Sequence, residues 1–138
     1  MDNSRCKRER AELIYPPHAF SPEDLLTFVE MDGFLDEWMS HGLNDDDLGR
    51  FQAMIMAGPK HNPIVADTEG FRILKMRRDP QSEKQVRLGY VYFEEYGVVL
   101  LVATQVDDEM ERMSQEARIK IGQLIRREHA ALSNKVFR

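Results

Sequence analysis

Cysteine is nearly absent: Cys6 is the single one in 138 residues. A disulfide within the chain and a cysteine-rich zinc site are therefore excluded. No apolar run is long enough to cross a bilayer, the longest being Val98 to Ala103. The first 20 residues are charged and hold no apolar signal core, so a cytoplasmic, reducing setting is expected. The four histidines, His18, His41, His61 and His129, have no metal-ligand spacing with one another or with Cys6, so no metal and no cofactor are expected. Lys and Arg are missing altogether from Ser21 to Asp47, where nine acidic residues stand. The net charge is −5, which argues against a surface that binds nucleic acid indiscriminately.

What is present is concentrated. Phe71 to Leu88 holds Arg72, Lys75, Arg77, Arg78, Lys84 and Arg87 against Asp79 and Glu83. Arg118 to the end holds six basic residues against Glu128. Screening confines such fields to about 8–10 Å, so a local basic face is compatible with an acidic total. Apolar residues make up 42% of the chain, enough for one ordinary core.

The chain divides into a charged extension over residues 1–20, interrupted by Tyr15-Pro16-Pro17, and a domain over residues 21–138. Ser21-Pro22-Glu23-Asp24 carries a helix-start signature, whereas the following Leu25 to Glu30 has the β-branched and aromatic content of a short strand, the favoured reading. Asp32 is expected to cap a helix bearing Phe34, Leu35, Trp38 and Met39 on one face, ended by Gly42. Asn44 is expected to cap a second, with Asp45-Asp46-Asp47 at the positive end of its dipole. Leu48, Phe51 and Ile55 form its stripe, and Gly58-Pro59 stops it. The period then changes. The stretch from Phe71, Val86 to Glu95 and Val98 to Thr104 read as an antiparallel meander, with Ile64-Val65 as an edge addition. Ser114 to Leu132 reads as a terminal helix carrying Ala117, Ile121, Leu124, Ile125 and Leu132 on one face. Helices, then a sheet, then a helix make the class α+β.

An ordered series of residues carries a resemblance. It runs through Asn44-Asp45-Asp46-Asp47-Leu48, Phe51-Gln52, Ile55, Pro59 and Ile64-Val65. It continues through Thr68-Glu69-Gly70-Phe71-Arg72-Ile73-Leu74-Lys75, Arg87 with Tyr90, the strand Val98 to Val102, and an acidic run before the last helix. Over about three quarters of its length the chain resembles the RelE/HigB-like toxins of type II toxin–antitoxin systems. The resemblance implies a helical hairpin on a twisted antiparallel sheet of three to five strands with a C-terminal helix. It further implies an open concave basic face, cleavage of mRNA at the ribosome without a metal, and a cognate antitoxin as partner. A gyrase-directed, ParE-like toxin of the same fold is an alternative, and a toxin-like module that has lost its chemistry is another.

Under the resemblance, Arg72, Lys75, Arg87 and Tyr90 are the candidate catalytic residues, and Arg77, Arg78 and Lys84 the candidate RNA contacts. Attack of a 2′-OH on the adjacent phosphate needs a base, stabilisation of a negative phosphorane and protonation of the leaving oxygen. Arginine forks bind phosphate oxygens in pairs, and tyrosine stacks on a base. Alternation along a strand lets Lys75 and Arg77 point together and gives Arg72 the opposite parity. The sequence departs from the family pattern at named positions. Glu69 replaces the first glycine of Thr-Gly-Gly, Ile73 replaces the lysine after Arg72, and Thr104 and Val106 replace a Tyr-x-Lys pair. The glycine pair between the middle strands is replaced by Gln81 to Gln85. Asp107, Asp108 and Glu109 follow the last strand and are expected to repel RNA phosphates.

Overall fold

The computed structural model describes residues 8–10, 25–77, 81 and 85–136, with side chains for all but 8–10 and the last two of these. The strands are β1 (Arg8–Arg10), β2 (Thr27–Glu30), β3 (Phe71–Arg77), β4 (Gln85–Phe93) and β5 (Val98–Gln105). The helices are α1 (Phe34–Ser40), α2 (Asp45–Ala57) and α3 (Gln115–Val136). Among the described residues, one sheet of order β1-β2-β5-β4-β3 holds these five strands. The α+β class and the order hairpin, sheet, terminal helix match the expectation from sequence.

The sheet is mixed rather than antiparallel throughout. β3, β4 and β5 form the expected meander, but β2 runs parallel to β5, with Thr27 beside Val98 and Glu30 beside Leu101. The helical hairpin and meander between them act as a long crossover, which parallel neighbours require. The N-terminal extension contributes β1, which pairs with β2 on the edge opposite β3.

α2 begins as its sequence dictates. The Asn44 side chain accepts from the Asp47 amide at 2.9 Å, and the Asp47 carboxylate accepts from the Asn44 amide at 3.0 Å. That reciprocal cap satisfies two otherwise orphaned donors. α1 begins differently: its cap is Gly33, in the left-handed region, and no side chain caps it, so Asp32 does not take that role.

Each face of the sheet carries its own core. The hairpin face packs Phe28, Leu74, Leu88, Tyr90, Val99 and Leu101 against Trp38, Leu48, Phe51 and Ile55. Phe51 meets the Trp38 ring edge-on at a centroid distance of 5.3 Å. The other face packs Phe71, Val91, Phe93, Val98 and Leu100 against Ile121, Leu124 and Ile125 of α3. The resemblance implies that this second face is open. Here α3 lies across much of it, because its apolar stripe needs a partner.

A bulge re-aims the end of β5. Gly89 pairs with Ala103 and Tyr90 with Leu101, so Val102 is the extra residue, and Val102 and Ala103 both pack toward α3. Gly89 is obligatory at this point: a Cβ there would stand 2.1 Å from Cζ of Phe71 and 3.2 Å from Sδ of Met110.

Candidate nucleic-acid interface

The four candidate catalytic residues fall into two pairs on opposite faces of the sheet. Arg72 and Tyr90 are cross-strand partners, as are Lys75 and Arg87. Alternation sends the first pair to the hairpin face and the second to the α3 face.

Arg72 and Tyr90 hold a loop. Nη1 of Arg72 donates to the carbonyls of Asn62 (2.5 Å) and Lys60 (3.2 Å). The Tyr90 hydroxyl donates to the Pro59 carbonyl at 3.1 Å and accepts from Nδ2 of Asn62 at 3.2 Å. Tyr90 is completely buried, and burial holds its phenol above the ordinary tyrosine range, against the opposing Asn62 hydrogen bond. A stacking platform must expose its ring, so base stacking by Tyr90 is corrected to a core role: it closes the hairpin face and pins residues 59–62.

Lys75 and Arg87 make a different arrangement. They stand opposite each other on β3 and β4, and Gln105 stands opposite Arg87 on β5. The row Lys75–Arg87–Gln105 thus crosses three strands on one face. The single turn Glu109–Arg112 folds back over it. Oε1 of Gln105 accepts from the Met110 amide at 2.8 Å, and the Met110 side chain is buried in the α3-side core. With its neighbour so fixed, Glu111 lands on both cations. Nζ of Lys75 donates to Oε2 at 3.1 Å, and Nε of Arg87 donates to Oε1. The Arg87 hydrogen bond first, then that of Lys75, hold the Glu111 carboxyl below the usual carboxylate range.

The remaining cations divide. Arg77 shares the strand parity of Lys75, lies opposite Gln85 and is exposed. Arg78 and Lys84 lie outside the described residues. The acidic run is partly self-neutralised: Asp108 pairs with Arg112 at 2.8 Å, which lowers the Asp108 pKa, and Asp107 accepts from the Glu109 amide. Thr104, where the sequence resemblance expects a tyrosine, is buried; its amide donates to Oε1 of Glu37 at 3.0 Å. Val106, at the lysine position, is exposed.

Glu111 was not legible in the sequence. One carboxylate among several after β5 carries no distinguishing mark, and the bulge that sets its approach leaves no motif. Glu69 is a second departure with a visible consequence. It sits at φ 60°, in the left-handed region where a glycine is unstrained, and its carboxylate meets Arg126 of α3 at 2.5 Å.

A cleft of about 690 Å³ lies between the end of β4 and α3, floored by Val91, Phe93 and Ile125. On its rim Glu69 pairs with Arg126, and Nε2 of His129 lies 2.7 Å from Oε1 of Glu95; Arg72 and Glu94 also line it. Among the described residues no cluster of His, Cys, Asp or Glu is arranged to hold a metal ion, and no helix is long and apolar enough to cross a membrane.

No family model matches the sequence, and no curated protein matches it. Among solved structures the chain is similar to a mutant of the E. coli toxin RelE in its free state. The identity is 18% and the TM-score 0.45, over 62% of this chain and 85% of that one. At that distance the likeness says nothing about chemistry.

Proposed function

We propose that this chain is a RelE/HigB-like toxin, a metal-independent mRNA endoribonuclease that works at the ribosome and is neutralised by a cognate antitoxin. The observation that carries the reading is the convergence of Lys75 and Arg87, from neighbouring strands, on one anionic group. Two cations aimed at one point are what a phosphodiester needs. In the reaction they stabilise the charge that builds on the phosphorane, and preorganised charge of this kind accounts for most of the rate enhancement in many enzymes. Arg77 extends the same face toward the neighbouring phosphate. Arg72 and Tyr90, on the opposite face, hold the 59–62 loop and take no part in the phosphate contact.

Expression of the full chain is the test. Growth arrest with mRNA cut at ribosome-occupied positions, relieved by an adjacent gene product, is the expected result. Arg87→Ala is expected to lower cleavage about 10²–10³-fold. Harmless expression with intact mRNA retires the enzyme.

One set of observations favours a second reading, a module that binds RNA without cutting it. Tyr90 is buried, and Thr104 and Val106 leave the Tyr-x-Lys positions without aromatic ring or charge. A proton donor for the leaving oxygen then has no obvious source beside Lys75. Binding with no cleavage product would select this reading.

A further inference from the structure

We propose that the Lys75–Arg87 pair is an exchangeable phosphate site in which the Glu111 carboxylate is a built-in competitor that RNA phosphate displaces. This deepens the functional reading above and rests on it for the identity of the ligand.

The Arg87 side chain is only 12% exposed, and a cation so far removed from water needs an anion beside it. Glu111 supplies one, but from a support that does not depend on the contact. The turn Glu109–Arg112 is held by the buried Met110 side chain, by the Gln105–Met110 hydrogen bond and by the Asp108–Arg112 pair. None of these involves the Glu111 side chain. The carboxylate can therefore swing outward while the turn stays docked.

Access points the same way. The Glu111 side chain is 31% exposed and that of Lys75 45%, so the carboxylate leaves toward solvent and a phosphate enters by the same route. The two anions also match in demand. A carboxylate offers two oxygens to Lys75 and Arg87, and a phosphodiester offers two non-bridging oxygens to the same donors. Exchange conserves charge pairing at Arg87, so it avoids the penalty that removing either anion alone would incur. The cost to RNA is competition with a tethered group at high effective concentration. Affinity in the wild-type chain is thereby held down, and selectivity shifts toward ligands that also engage the exposed Arg77.

The test uses the full chain and its Glu111→Gln variant with a labelled single-stranded RNA and with inorganic phosphate. Removing the competitor is expected to tighten RNA binding by about ten-fold at fixed salt. In phosphate-free buffer the variant is expected to melt lower than wild type. Inorganic phosphate should restore it more than chloride of equal ionic strength. Adding Arg87→Ala to the variant should abolish the gain in RNA affinity. RNA bound no more tightly by the variant than by wild type overturns the proposal, whatever phosphate does to the melting temperature. If the variant does not fold, the Glu111 carboxyl carbon of the wild-type chain decides by NMR: a shift on RNA addition supports exchange, and an unmoved signal overturns it. Failure here leaves cleavage by the wild type untouched, whereas cleavage can fail while exchange stands.

Discussion

The two faces of the sheet solve the same problem with different materials. The hairpin face is sealed by aromatic rings: Trp38, Phe34, Phe51 and Tyr90 are buried there, and the cross-strand pair Arg72–Tyr90 is spent on holding a loop. The α3 face is sealed mainly by aliphatic side chains around two rings, Phe71 and Phe93; it is edged by exposed ion pairs and ends in the row Lys75–Arg87–Gln105 under Glu111. Residues with the same chemical potential for function thus meet opposite fates. Arg72 and Lys75 are three positions apart on one strand, and strand parity alone commits the first to architecture and leaves the second free to meet a ligand.

The largest effects should come from the aromatic face. Trp38→Ala should cost about 3–5 kcal/mol, and Ile125→Ala less, within about 2–4 kcal/mol. Urea unfolding of both variants measures the difference, and equal losses would erase the contrast between the faces. Gly89→Ala tests the junction beneath Met110. The added methyl meets the Phe71 ring, so a loss of about 1–3 kcal/mol is expected by the same measurement, with the Glu111 turn loosened.

Tyr90→Phe should cost about 1–2 kcal/mol by leaving the Pro59 carbonyl and Asn62 amide without a partner. It should also change the alkaline limb. A phenol whose folded pKa is raised favours folding below its unfolded pKa of about 10, and that contribution is lost as pH rises beyond it. Melting temperatures above pH 10 should fall more steeply for wild type than for the variant. Glu111 works in the other direction. Its folded pKa is lowered, so its contribution is present above the unfolded value and fades as pH falls through the folded one. The acid limb should be shallower in Glu111→Gln, by a small amount because the group is partly exposed.

The smallest effect belongs to Glu69→Gly. Relief of the left-handed backbone, about 1 kcal/mol, is offset by loss of the exposed Arg126 pair, about 0–1 kcal/mol. A stability change beyond about 1 kcal/mol in either direction would show that this corner holds α3 more firmly, or more loosely, than its exposed pair implies.

These contrasts also mark how far the amino-acid sequence reaches. Local chemistry was readable: the Asn44 cap, the stop at Gly58-Pro59, the stripe of α2 and the parity separating Arg72 from Lys75 all depend on neighbours in the chain. Non-local geometry was not. The parallel pairing of β2 with β5 joins segments far apart in the chain, and no residue in Thr27–Glu30 announces a direction. The bulge at Val102 replaces one apolar residue with two on the same face, which leaves the composition of the strand ordinary. The burial of Tyr90 depends on a loop 28 to 31 residues earlier in the chain reaching its hydroxyl. Glu111 was hidden for the same reason, since its importance comes from folding back across two strands.

The central claim, that RNA phosphate is received where β3 and β4 present Lys75 and Arg87, is tested most directly by mapping the contact. Amide and side-chain NMR signals of the full chain should be followed during titration with a short single-stranded RNA. The largest shifts are expected to cluster at Lys75, Arg77, Arg87 and Glu111, and to weaken as salt is raised. Shifts confined to the hairpin face or to the cleft beside His129, or saturation that ignores salt, would contradict it.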